Sequence, residues 1–139
     1  MDWTIIQQAL PAYGHGFVLT VWLSLVGIIG SIIVGVIASL LQYFKTPILS
    51  QIATAYVELA RNTPLLIQLF FLYYAFPVIG WRMSSITAGI IGLIFLGGGY
   101  MAEGFTGGFQ GVTDSQINSG EALGMNRFQL ARYIVFPQG

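Results

Sequence analysis

Hydrophobic residues run in three long blocks along this chain, and the few charges sit at the block ends. The first block, Phe17 to Phe44, carries no charged side chain. The hydrocarbon core of a bilayer is about 30 Å thick and takes about 20 helical residues to cross, so this block is long enough to span. Within it Gly27, Ser31 and Gly35 are spaced four apart, which puts three small residues on one helix face. Such a face lets another helix approach closely; the alternative is that glycine is simply common in membrane helices. Ahead of the block, residues 1–16 read as an interfacial lead-in. Trp3 and Tyr13 suit the headgroup layer, and Pro11, Gly14 and Gly16 are predicted to punctuate it. The lead-in has an acid at Asp2 and no Lys or Arg, unlike the positive start of a signal peptide.

Lys45 and Pro47 close the first block, and a second helix is predicted from about Ile48. It carries Glu58 and Arg61 three residues apart, the spacing of a same-face ion pair. Thr63-Pro64 then interrupts it, because proline lacks a backbone donor and clashes with the preceding turn. Thr63 is predicted to cap a restarted helix with Pro64 at its first position. Residues 62–81 are uncharged and suffice to span, with Pro77, Gly80 and Trp81 at the exit. The third block, Met83 to Ala102, ends near Gly97-Gly98-Gly99. In water each glycine would weaken a helix by about 1 kcal/mol. In a membrane they point to a place where backbones or a ligand come close. Glycines at 104, 107, 108 and 111 are predicted to loosen the end of this span.

The remaining stretch is more polar. Thr113 with Gln116 three residues on has the form of a capping box, so a short helix from about Asp114 to Leu123 is predicted, stopped by Gly124. Asn126 with Gln129 repeats the pattern and opens a second helix carrying Arg127 and Arg132. The pattern predicts a helix–glycine–helix elbow. By chemistry alone it fits either a docking element for a soluble partner or a connecting loop.

Composition sharpens this picture. The 139 residues are 55% hydrophobic and 7% charged, with mean hydropathy +0.77, whereas a soluble domain carries about 25% charged residues. The fold class is therefore all-α membrane protein: three transmembrane helices, then the elbow. Zero net charge argues against nucleic acid as a partner. The absence of cysteine excludes disulfides and thiolate chemistry. His15 has no ligand-type neighbours at metal spacing, so no metal site is expected, and no paired acids or histidine cluster suggests an intramembrane enzyme. Lys45, Arg61, Arg127 and Arg132 fall on one side of the three spans and Arg82 on the other. The positive-inside rule then puts the N-terminus outside and the elbow in the cytoplasm.

The elbow resembles the cytoplasmic loop of bacterial ABC-importer permeases, whose pattern is EAA, three residues, Gly, nine residues, Ile, one residue, Leu-Pro. Aligned on Gly124, residues 125–133 precede Ile134, and Phe136-Pro137 follow. The triplet falls on Asn118, Ser119 and Gly120, so its acidic member is missing. Upstream, "VELARNTPLLIQL" from Val57 and "GGGYMAEGFTGG" from Gly97 are similar to the second- and third-span signatures of the polar amino acid branch, the histidine, glutamine and glutamate type. Asn62 stands where that branch has glycine, and Thr106 where it has arginine.

The resemblance implies a permease domain over residues 1–139 with a coupling segment at 113–136, in a bacterial inner or plasma membrane. The family continues into further spans, so it also implies that this chain is an N-terminal piece. The implied function is the permease subunit of an ATP-driven amino acid importer. Its partners would be a cytoplasmic ABC ATPase subunit, a second permease subunit, like or unlike, and an extracytoplasmic solute-binding protein. No phosphate-binding loop of the form G-x-x-x-x-G-K-[ST] is present. ATP is therefore expected on the partner, with no cofactor in this chain and no enzyme activity of its own. The alternative is a membrane adaptor that docks a soluble partner without transporting. Coupling is expected at Glu121, Ala122, Leu123, Gly124 and Met125. Candidate substrate contacts are Gln68, Tyr100 and Glu103, polar groups in or beside apolar spans. Each has a plain alternative: a helix–helix bond for Gln68, an interfacial anchor for Tyr100, an exit marker for Glu103.

Overall fold

A computed structural model describes residues 3–139, with only the backbone for Trp3, Thr4, Ile5 and Gln8. Asp2 and the side chain of Trp3 lie outside the described residues. Helix α1, Trp3–Tyr43, begins well before the expected span and runs through Pro11, Gly14 and Gly16 unbroken. Proline removes one ladder bond, whereas ending the helix there would free several backbone groups in an apolar chain. The lead-in is thus part of the first helix rather than a punctuated segment.

The second helix is broken. α2, Leu49–Asn62, ends with Thr63 extended at φ −110° and ψ 123°, the conformation a residue before proline prefers. Pro64 is also non-helical, and α3, Leu65–Phe70, starts one residue later than expected. Thr63 closes α2 and Pro64 caps α3. A π-helical turn, Phe71–Ala75, and a 3₁₀ turn, Phe76–Ile79, complete this distal arm. The two arms, Leu49–Asn62 and Leu65–Ile79, meet at 105°. The second segment is therefore a bent pair, not a straight crossing.

α4, Ser85–Phe109, continues through Gly104, Gly107 and Gly108 without loosening. Among the described residues, α1 and α4 are the two uninterrupted helices long and apolar enough to cross a membrane, and the bent pair makes a third span if counted as one. α1 and α4 run parallel: Gly27 faces Leu93, Gly30 faces Ile94, and Gly35 faces Met101 and Ala102. The intervening bent pair must return the chain from one end to the other. The small-residue face of α1 does pack as predicted. The Ser31 hydroxyl donates to the Leu93 carbonyl at 3.3 Å and lies against Gly97.

The three glycines receive two helices at once. Gly97 meets Ser31, Gly98 meets Val34 and Tyr56, and Gly99 meets Ala60. Tyr56 spans the junction, donating to the Phe95 carbonyl at 2.8 Å. Beyond α4 come α5, Asp114–Ala122, and α6, Arg127–Leu130, the latter continued by a π-helical turn, Ala131–Val135, and α7, Phe136–Gln138. Phe109, Val112 and Val135 form a buried cluster packed by Leu40, Tyr43, Ile117 and Ile134. The elbow is thereby fixed to the ends of α1 and α4.

Candidate functional site

The elbow turn is built by its backbone. α5 ends at Ala122 with Leu123 as its C-cap, and Gly124 follows at φ +79°, a conformation that costs glycine nothing. The Gly124 N–H donates to Glu121 O at 2.9 Å and the Met125 N–H to Gly120 O at 3.1 Å. These two bonds are those of a Schellman stop. The next helix starts at once. The Asn126 side chain accepts from Gln129 N at 2.9 Å, while Gln129 accepts from Asn126 N at 2.8 Å. Both predicted capping pairs form, since Gln116 likewise accepts from Thr113 N at 3.1 Å.

The turn leaves Leu123 78% and Phe128 74% exposed. Glu121, Ala122 and Gly124 are exposed as well, and Met125 is half-buried. The proposed coupling residues therefore share one protruding corner. Gly120, met in the sequence only as the last position of a degenerate triplet, is buried. A side chain there would strike Leu130 and Ile134, so its smallness sets how closely the two elbow helices approach. No one-dimensional pattern marks it, because the contacts are made ten and fourteen residues away.

The candidate substrate residues do not form one cluster. Tyr100 and Glu103 come together with Arg61. The Arg61 guanidinium lies 2.6 Å from the Glu103 carboxylate and 5.6 Å from the Tyr100 ring centre, a cation–π distance. The expected Glu58–Arg61 pair is not formed. Helix spacing permits that pair, but α4 brings a second carboxylate to Arg61.

Gln68 is elsewhere and is nine-tenths buried. Its Nε2 donates to the Ala60 carbonyl at 3.0 Å and to the Thr63 carbonyl at 2.9 Å. Both neighbours are acceptors, which fixes the amide orientation. The Oε1 is buried with no partner, at a cost of about 1–3 kcal/mol. The amide bonds α3 to the end of α2 across the helix break, which is the helix–helix alternative expected for Gln68. Beside it a groove of about 570 Å³ opens between the distal arm and α4, with Ile67, Phe71, Phe76, Ile91 and Phe95 on its walls.

One polar node escaped the sequence reading. Gln42, at the end of α1, donates to the Thr54 hydroxyl on α2 at 3.2 Å. Its Oε1 lies 3.3 Å from the Thr106 hydroxyl on α4, which donates more closely to the Ala102 carbonyl at 2.7 Å. Thr106 thus helps tie three helices without a charge.

The chain is similar to known proteins in sequence and fold. Residues 31–139 match a family described as binding-protein-dependent transport system inner membrane component. The glutamine transport system permease protein GlnP of Escherichia coli (strain K12) is 30% identical over 138 residues, covering 98% of this chain and 63% of that protein. The probable amino-acid permease protein YxeN of Bacillus subtilis (strain 168) is 34% identical over 141 residues, covering 99% and 63%. A crystal structure of an amino acid ABC transporter with histidines superposes with a TM-score of 0.81 at 27% identity, covering 99% of this chain and 64% of that one. The chain spans about 63% of the length of these curated relatives.

Proposed function

The chain belongs to the family of binding-protein-dependent transport system inner membrane components, and from that premise we propose that it serves as a permease subunit of an ATP-driven amino acid importer. It lies in the membrane with its N-terminus outside, crossing by α1, the bent pair and α4. The elbow then faces the cytoplasm. Amino acid as the substrate class follows from the relatives, whose names specify glutamine or amino acids. The partners are an ABC ATPase subunit that carries the ATP, a second permease subunit, a solute-binding protein and the lipid bilayer.

The observation that carries the reading is the elbow. A rigidly capped corner presents Leu123 outward, while its base is packed into Phe109, Val112 and Val135. A force on the corner reaches the ends of α1 and α4 rather than dissipating in a loop. Closure of an ATPase dimer around Glu121, Ala122, Leu123, Gly124 and Met125 would tilt the spans between two access states. For the substrate, Arg61 and Glu103 offer the opposite charges that an amino acid carries on its carboxylate and ammonium. Tyr100 lies beside them, and Gln68 contributes at most its Oε1.

The test is co-purification of the full-length membrane protein with its ATPase, followed by ATP hydrolysis with and without amino acid and solute-binding protein. Stimulated hydrolysis is expected. Association with no stimulation by any amino acid would overturn the transport reading and leave a docking adaptor. For topology, cysteines at Gln7 and Asn118 are labelled from outside intact cells. Label at 118 rather than 7 would reverse the orientation.

A further inference from the structure

We propose that Gln68 is the latch that sets the angle of the broken helix, holding the distal arm, residues 65–79, at its present inclination to α2. The proposal concerns this chain's own fold and does not rest on its function as a permease.

Three observations lead there. First, the break has no continuous backbone ladder across it. Thr63 and Pro64 are both extended, and proline contributes no donor. The last carbonyls of α2 are therefore left without helical partners. Second, the Gln68 amide fills that gap, reaching back eight residues to Ala60 O and five to Thr63 O. One side chain on the distal arm thus holds two carbonyls at the end of α2. Third, packing holds the arm on one flank and leaves the other open. Leu65 and Leu69 pack onto Gly92 of α4 at the arm's root. Phe71–Ala75 also meets α4, but the other flank, from Thr63, Ile67 and Gln68 out to Phe76, faces Ile91 and Phe95 across a groove. With one flank open, the two hydrogen bonds of the Gln68 amide, rather than the apolar contacts on α4, set the arm's angle. The arm is also irregular, passing from α to π to 3₁₀ geometry, which weakens it further as a rigid rod.

Spin labels at Gln51 and Val78, both exposed, report the angle in the full-length protein in lipid nanodiscs. With a rise of about 1.5 Å per residue, each 10° or so of opening lengthens their separation by roughly 2–3 Å. The native protein should give one narrow distance. Gln68→Met keeps the length and apolar stem but loses both donors, and should shift the distribution by several ångströms to longer distance and broaden it. Leu69→Ala loosens the root packing and leaves the amide alone, so its mean distance should stay at the native value. Gln68→Glu supplies the rescue. A protonated carboxyl donates one hydrogen bond and a carboxylate none, so the distance should be shorter and narrower at about pH 5, where the protonated form is favoured, than at about pH 10. A Gln68→Met distribution that superimposes on the native one overturns the latch. If that variant fails to insert, a pH-independent distance in Gln68→Glu overturns it equally. Loss of amino acid uptake with unchanged distances would implicate Gln68 in transport by another route and also defeat the latch.

Discussion

Arg61 reaches Glu103 on α4 at 2.6 Å, although Glu58 stands one helical turn away on its own helix. The pair fastens α2 to α4 beside the closest glycine contacts. Both side chains are exposed by a third or more, Arg61 36% and Glu103 53%, so the energy is modest, about 0–1 kcal/mol for such a pair. A double-mutant cycle separates the alternatives. Coupling between Arg61→Met and Glu103→Gln should be positive, about 0.2–1 kcal/mol by thermal or denaturant unfolding in detergent. Coupling between Arg61→Met and Glu58→Gln should be near zero. The reverse ranking would restore the same-helix pair.

Two glycines on the paired helices should respond in opposite directions to alanine. At Gly35 a Cβ would lie 2.5 Å from Met101 Cβ and 3.0 Å from the Ala102 backbone nitrogen. Backbone cannot rotate away, so Gly35→Ala should separate α1 from α4 and cost about 1–3 kcal/mol. At Gly89, on α4 itself, nothing lies within 4 Å. Gly89→Ala should therefore be neutral or stabilising, by up to about 1 kcal/mol from helix propensity. Melting temperatures of the two variants in the same detergent decide it. A Gly35→Ala protein as stable as Gly89→Ala would mean the helices are not in tight contact there.

What was legible in the sequence was what depends on periodicity and local chemistry. The small-residue face at Gly27, Ser31 and Gly35, both capping pairs and the positive φ at Gly124 all follow from side-chain size or from partners within a few residues. What was not legible depends on contacts between distant residues. Glu58 was the nearer choice for Arg61, and only the packing of α4 supplies Glu103. Gln68 reads as a lone polar group in an apolar run because its acceptors are backbone carbonyls, which every sequence has. Glycines near the end of α4 and Pro11 in α1 have a low helix propensity in water. In an apolar setting the backbone's need for hydrogen bonds outweighs that propensity. Gly120 and Gln42 gave no signal, since their roles come from Leu130 and Ile134 in one case and from Thr54 and Thr106 in the other.

In the short loop between α1 and α2, Lys45 and Ile48 both have positive φ, and the β-branched Ile48 is the more strained of the two. Ile48 has φ +64° and ψ −51°, and the Leu49 N–H donates to Pro47 O at 2.7 Å across it. That is the strained form of the γ-turn, held here by a β-branched residue that is 70% exposed. Ile48→Gly removes the clash and sacrifices little buried contact. Strain relief of about 1–2 kcal/mol should exceed the extra chain entropy of glycine, about 0.5–1 kcal/mol. The variant should melt slightly higher than the native protein, while Ile48→Val should not. A lower melting temperature for the glycine variant would show that the turn relaxes without it.

The elbow offers the most discriminating substitution, at Gly124. Its φ of +79° lies in the region L side chains avoid, and a Cβ there would meet nothing within 4 Å. The cost of replacing it is therefore conformational rather than steric. Asparagine tolerates this region and should be nearly silent. Valine is strained there by about 1–2 kcal/mol. Relief would require rotating the Schellman bonds from Gly124 to Glu121 and from Met125 to Gly120, which swings Phe128 relative to Leu123. The base of the elbow, at Phe109 and Val135, is untouched by that rotation. Gly124→Val in the full-length protein should thus insert normally and still engage the solute-binding protein, but lose ATPase association and uptake together. Gly124→Asn should retain both. Pull-down and uptake are measured side by side for the two variants. If valine is as well tolerated as asparagine, residues 113–136 are a passive connection and the coupling role fails, whereas the paired helices α1 and α4 stand unaffected.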